Sequence, residues 1–282
     1  MSQPTTFGSF STTPQPSNFS KDFLESNSII AKFAWLFLVI FFFVILLQIG
    51  TSLLAYFFSK SSSLQKLFTG STDAKQSQIF YQDPSNNPHN TINRSQNASD
   101  GIEFTWSTWI FINNLQYLDG QYRHIFHKGN YDLNSSTGLN FPNNAPGLYI
   151  TPHTNTLVVI MNTFDQINKE ITIPDIPLNK WVNVIIRCEN KTLDVYVNGT
   201  ITRSVTLDGV PKQNYGDVYV TMNGGFDGYV SNLWYYNYAL GIAAIQNLVS
   251  SGPNTKIVSG SNMSYNNNQD TDYLSLRWYF QP

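Results

Sequence analysis

Residues 178–207 read LNKWVNVIIRCENKTLDVYVNGTITRSVTL, and this stretch decides the fold. Val182, Val184, Ile186 and Cys188 alternate with Asn183, Ile185 and Arg187, the two-residue period of a strand packed on one face. After a turn at ENK, Leu193, Val195 and Val197 resume the inward pattern. Asn198-Gly199 then separates two β-rich runs. Both positions of a two-residue hairpin turn need positive φ, which Asn and Gly adopt most readily. A meander of three antiparallel strands is predicted.

The flanking sequence repeats the pattern. GIEFTWSTWIFI (101–112) sets Ile102, Phe104, Trp106, Ile110 and Ile112 on one face, while Trp109 and Phe111 mark the other face as partly covered. RHIFHKG (123–129), GLYITP (147–152), TLVVIMNTF (156–164), DVYVTM (217–222) and GFDGYVSNLWYYN (225–237) are further strands, and LSLRWYF (274–280) reads as a closing one. Only GIAAIQNLVSSG (241–252) reads as a short helix. Strands recurring about every ten residues between Gly, Asn and Pro turns indicate an all-β sandwich.

N-terminal to this region lies a different segment. Between Lys32 and Lys60 the chain reads FAWLFLVIFFFVILLQIGTSLLAYFFS without a charge. A bilayer core needs roughly 20 apolar residues, so the run suffices to span one. Trp35 and Tyr56 sit near its ends, where amphipathic rings prefer the headgroup level. A signal peptide would carry a shorter apolar run ending in small residues, so an uncleaved anchor is expected. The expected organisation is a disordered tail (1–28), a transmembrane α-helix (29–58), a stalk (59–78) and a β-sandwich domain (79–282).

Lys60, Lys66 and Lys75 follow the helix, which places the large domain on the cytosolic side of a single-pass membrane protein. The single cysteine, Cys188, permits no intrachain disulfide and points the same way. Sequons at Asn93, Asn97, Asn134, Asn190, Asn198 and Asn262 are then chance triplets in an Asn-rich chain. A net charge of -2 without a basic run gives phosphate backbones nothing to bind, so no nucleic-acid partner is expected.

The order GIEFTWSTWIFI, HIFHKG, APGLYI, IPLNKWVNVIIRCENKTLDVYVNG and GGFDGYVSNLWYYNYAL resembles the concanavalin A-like lectin/glucanase superfamily in its laminin-G-like branch, from roughly Ile79 onward. With its anchor, the chain is similar to membrane proteins of large double-stranded DNA viruses. The resemblance implies a jelly-roll of two curved antiparallel sheets and a setting in a host or virion membrane. It fixes no ligand, because the fold serves lectins, hydrolases and interaction modules alike.

The residues speak against catalysis. Family glucanases carry closely spaced carboxylates on one strand face, as acid and nucleophile. Here Glu103, Glu170 and Glu189 are the glutamates beyond the anchor, far apart in sequence and each without an acidic residue two positions on. His124 and His127 form H-x-x-H, but residues three apart on a regular strand face opposite sides. Nucleophile elbows, phosphate loops and dinucleotide fingerprints are absent. No cofactor is expected; calcium is the one ion with candidate ligands, Asp217, Asn223 and Asp227, on loops meeting at one end of the sandwich. Candidate ligand-binding residues are Asn214, Tyr215, Asn223, Asp227 and Tyr229, with Tyr235 as a further aromatic. The expected function is a membrane-anchored, non-enzymatic interaction or structural module of a virion or viral membrane, with protein neighbours as partners. A lectin-like attachment protein binding glycans is the alternative.

Overall fold

The computed structural model describes residues 29–58, 64–83 and 92–258. The expected tail (1–28) and the closing strand at LSLRWYF lie outside the described residues. The chain divides into two units, 1–61 and 62–282.

The first unit contains helix α1 (Ile29–Phe58). From Ile29 to Leu53 it is long and apolar enough to cross a membrane, and its apolar side chains point outward around the whole circumference without cover. Gln48, Gly50, Thr51 and Ser52 interrupt the apolar run, and the Thr51 hydroxyl donates to the Gln48 carbonyl (3.0 Å).

The second unit carries strands β1 (Leu64–Lys66), β2 (Ser71–Asp73), β3 (Gln78–Phe80), β4 (Gln96–Ala98), β5 (Gly101–Ile112), β6 (Arg123–Gly129) and β7 (Gly147–Ile150). They are followed by β8 (Leu157–Met161), β9 (Lys169–Ile173), β10 (Trp181–Asn190), β11 (Thr192–Val197), β12 (Thr200–Thr206), β13 (Asp217–Val220), β14 (Gly228–Tyr236) and helix α2 (Ile242–Ser250). Two antiparallel sheets form. Sheet A runs β1-β14-β5-β10-β11-β12, with β2 also on β14 and β4 on β5; sheet B runs β3-β13-β6-β7-β8-β9.

Sequence period explains the sheet faces. Val182, Val184, Ile186 and Cys188 of β10 turn inward against Ile110, Phe104, Val195 and Leu193 of the flanking strands. Asn198 (φ 49) and Gly199 (φ 78) make the turn between β11 and β12, both in the left-handed region that this hairpin demands. Trp106 anchors the inter-sheet core, its ring 4.5 Å from Tyr235 and 5.3 Å from Phe126. Burying each such ring contributes roughly 2–3 kcal/mol. Trp109, Ile185 and Tyr196 point the other way, where Ile245, Leu248 and Val249 of α2 cover them. This accounts for the apolar residues on both faces of β5 and β10. Burial pushes the Cys188 thiol up to about 12, so it behaves as a small core residue.

The stalk expected over 59–78 is corrected from Leu64 onward. There β1 and β2 pair with β14, and Leu67, Phe68 and Ala74 are buried in the inter-sheet core. Three-residue edge strands with polar outer faces carry too few alternations to register as a period, so the composition reads as linker.

Candidate ligand-binding surface

The outer face of sheet B is built around an irregularity in β6. A β-bulge between His124 and Phe126 sends both Ile125 and Phe126 into the core. His124 and His127 consequently share the outer face, and His124 Nε2 lies 2.6 Å from His127 Nδ1. The expectation that H-x-x-H straddles the strand is thereby corrected: the inserted residue restores the phase. Both rings are buried, and burial lowers His127 to about 4 and His124 well below its ordinary value.

Aromatic rings continue from this pair in both directions. Tyr149 of β7 meets His124 edge-on at 5.3 Å, and Tyr219 of β13 stacks on His127 at 5.0 Å. Tyr131 follows at 5.4 Å from Tyr219. One half of the face is covered. The loop 130–146 and Tyr122 lie over Tyr149, Val158 and Ile160, with Leu139 as the apolar contact. Asn144 accepts from the Tyr149 hydroxyl (2.6 Å) and donates to the Asn140 carbonyl (2.8 Å), while its backbone N–H donates to Asn162 Oδ1 (2.8 Å).

The other half is open. Tyr131 is 51% exposed, Tyr81 39% and Ile79 41%, and Ile79 is the register partner of Tyr219 on β3. Burial, followed by Asp217, Tyr81, Asp132 and Tyr131, raises the Tyr219 phenol above its ordinary value, so it is a donor at neutral pH. Stacked rings beside carboxylate acceptors form a surface that can hold a ligand by ring contact and hydrogen bonds. None of the sequence-derived candidates lies among these rings. An i, i+2 search for apolar and aromatic residues along 79–81 and β13 would have found Ile79, Tyr81 and Tyr219.

Those candidates occupy four places. Asn214 accepts from the Gly216 N–H (2.7 Å), and the exposed Tyr215 lies under the Arg94 guanidinium at 5.9 Å; both precede β13. Asn223 and Asp227 follow β13 at its opposite end. Asn223 donates to Gln121 Oε1 (3.3 Å), while Asp227 pairs with Lys75 (2.5 Å) and accepts from Asn114. Tyr229 is on the outer face of sheet A, in line with Phe111 (6.3 Å) and Trp181 (5.5 Å from Phe111). Tyr235 is core, with its hydroxyl 2.9 Å from Ser95 Oγ.

Asp217 does not meet Asn223 and Asp227, because an extended strand holds its two ends apart. Asp217 accepts from the Gln82 N–H (2.7 Å), and the ammonium of Lys75 already sits against Asp227. Among the described residues, no three His, Cys, Asp or Glu side chains converge on a metal position. The glutamates hold one surprise. Glu103 and Glu189, far apart in sequence, are register partners across β5 and β10. Arg187 bridges Glu189 (2.5 Å) and Asp194 (2.9 Å), and Glu103 accepts from the Ala239 N–H (3.4 Å). Both acids thus have partners within the fold.

A family model for this sandwich matches residues 84–246, more than half of the chain. The chain belongs to the concanavalin A-like lectin/glucanases superfamily. Solved structures to which the chain is similar at low identity are receptor- and ligand-binding domains of botulinum neurotoxins. One is the botulinum neurotoxin serotype D ligand-binding domain in complex with N-acetylneuraminic acid, at 12% identity over 68% of this chain and 46% of that one, with a TM-score of 0.49. Another is the receptor-binding domain of botulinum neurotoxin D, at 13% over 68% and 46%, TM-score 0.46. A third is the receptor-binding domain of the C/D mosaic serotype, at 15% over 53% and 36%, TM-score 0.42. The chain spans less than half the length of these structures. No curated protein matches the sequence.

Proposed function

We propose that this chain is a membrane-tethered, non-enzymatic recognition module of the superfamily. In this reading α1 is the anchor and the sandwich lies on the cytosolic side, in the viral-membrane or virion setting that the resemblance implies. The observation that carries it is the divided outer face of sheet B: one half is closed by the chain's own loop, and the other presents Tyr81, Tyr131 and Tyr219 to solvent. A protein neighbour assembled on the same membrane is the leading ligand. The carboxylates of Asp132 and Asp217 beside stacked rings favour a glycan as the second reading, since sugars offer hydroxyl donors and an apolar ring face.

The two readings separate on a glycan array probed with the detergent-solubilised full chain. A silent array, with loss of coassembly with membrane partners in Tyr131→Ala, supports the protein neighbour. Specific sugar binding that falls at least tenfold in Tyr131→Ala makes the chain a lectin. Binding of either kind that survives Tyr131→Ala combined with Tyr219→Ala removes this face from the function. Sidedness has its own readout. Expressed in eukaryotic cells, the chain is expected to migrate unchanged after glycosidase treatment, and a mass shift lost in Asn93→Gln or Asn97→Gln places the sandwich on the lumenal side.

A further inference from the structure

We propose that His124 and His127 form an acid-sensitive latch holding the loop 130–146 over sheet B. This goes beyond the recognition role and does not depend on it. The Met222 backbone N–H donates to His124 Nδ1 (3.0 Å), so that nitrogen carries no proton. A neutral His124 therefore holds its proton on Nε2, which donates to His127 Nδ1 at 2.6 Å. His127 must then hold its proton on Nε2, where it donates to the Asn130 carbonyl (3.2 Å) at the start of the loop. One chain of donors runs from the end of β13 through both rings to the loop.

This chain has no place for another proton. A proton added to His127 Nδ1 faces the His124 Nε2–H across 2.6 Å, and one added to His124 Nδ1 faces the Met222 N–H. Shifting the His124 tautomer to relieve the first clash creates the second. The neighbours do not supply a counter-charge. Tyr149 from β7 presents a ring edge to His124, and Tyr219 from β13 presents a ring face to His127. From the loop come the Asn130 carbonyl and, beyond Tyr219, Tyr131. Asp132 and Asp217 act on the Tyr219 phenol. On β6 itself, Arg123 is held by the carbonyls of Tyr117, Thr151 and Pro152, and Lys128 by the Gly216 carbonyl. The Asn130 carbonyl alone favours the charged His127 ring, and it does not offset the burial and the facing His124 N–H, so an imidazolium here must reach water and the loop packed over the rings is the element that can give way.

The sign follows from linkage. Both histidines have depressed values when closed, His127 at about 4 and His124 well below its ordinary value, so the opened state binds more protons as pH falls below 6.5. The latch is fully effective above 6.5 and weakens as pH falls below it. One pH unit below 6.5, each ring favours opening by about tenfold. Opening would uncover Tyr149, Val158 and Ile160, while the amide contacts of Asn140 and Asn144 are insensitive to pH.

Hydrogen exchange on the full chain in lipid nanodiscs tests this, with rates corrected for their intrinsic pH dependence. Between pH 7.5 and 5.5, protection over 130–146 is expected to fall about ten- to a hundredfold while β10 and β11 stay protected. The double variant His124→Asn, His127→Gln should lose this dependence. Unchanged protection in the wild type, an equal fall in the double variant, or a fall shared by β10 overturns the latch. Should the double variant fail to fold, imidazole nitrogen shifts of histidine-labelled wild type decide the matter. Both rings are expected to gain protons only together with loop opening; a ring that titrates while the loop stays protected overturns the proposal.

Discussion

Replacing Arg123 with Met is expected to destabilise the sandwich by about 3–5 kcal/mol, lowering the Tm of the solubilised chain by roughly 10 °C. Arg123 is wholly buried at the start of β6. Its Nε donates to the Tyr117 carbonyl (2.6 Å), Nη1 to the carbonyls of Thr151 (2.8 Å) and Pro152 (3.0 Å), and Nη2 to that of Leu115. One planar guanidinium thus ties the 113–122 loop and the turn after β7 to the centre of sheet B. Met fills the stem volume but leaves these carbonyls without their donors, and hydrogen bonds to a charged donor are worth about 1.5–3 kcal/mol each. Arg123→Lys should retain part of the stability, because a single ammonium cannot span the whole set. Asp119→Asn should cost under about 1 kcal/mol, since that exposed carboxylate stands 3.9 Å away. A melting curve for Arg123→Met that overlays the wild type would show the carbonyls to be satisfied by water instead.

Arg123 also shows where sequence reading stops. The strands were legible because two-residue periods and Asn-Gly turns are local signals: GIEFTWSTWIFI and the 178–207 meander fold as read, and the short helix at 242–250 appears as expected. What escaped depends on register between strands or on phase within one. A buried arginine beside two histidines looks like a polar strand face until four loop carbonyls are brought to it. The bulge in β6 leaves no mark in RHIFHKG, yet it alone puts His124 and His127 together. Glu103 and Glu189 lie across the β5–β10 ladder, invisible to any search along one strand. Leu64–Asp73 were lost for the opposite reason, since edge strands this short have no period. The open face of Tyr81, Tyr131 and Tyr219 combines residues from three separate segments. The sequence-derived candidates lie apart from these rings, Asn214 and Tyr215 before β13, Asn223 and Asp227 after it, and Tyr229 on the other sheet.

The loop after β13 gives the second large effect. Gly225→Ala is expected to cost about 2–4 kcal/mol and to lower Tm by roughly 5–10 °C. Gly225 has φ 54, where an L-residue with a Cβ is disfavoured by about 1–2 kcal/mol. A Cβ there would also stand 1.9 Å from the Ala74 carbonyl oxygen and 2.9 Å from Thr221 Cβ. Neither is the end of a flexible side chain, so the backbone must move. That carbonyl accepts from the Phe226 N–H (3.3 Å), and both Ala74 and Phe226 are fully buried in the inter-sheet core. The disturbance therefore passes into the β2–β14 edge and loosens the Lys75–Asp227 pair on the same rim. Gly224→Ala is the matched comparison. Its φ of 79 carries a similar conformational cost, but the nearest atom is the Tyr117 hydroxyl at 2.8 Å, which can swing aside. It should lose only about 1–2 kcal/mol. Equal melting temperatures for the two variants would mean that Ala74 yields freely and that close backbone approach is not why GGFDG carries paired glycines.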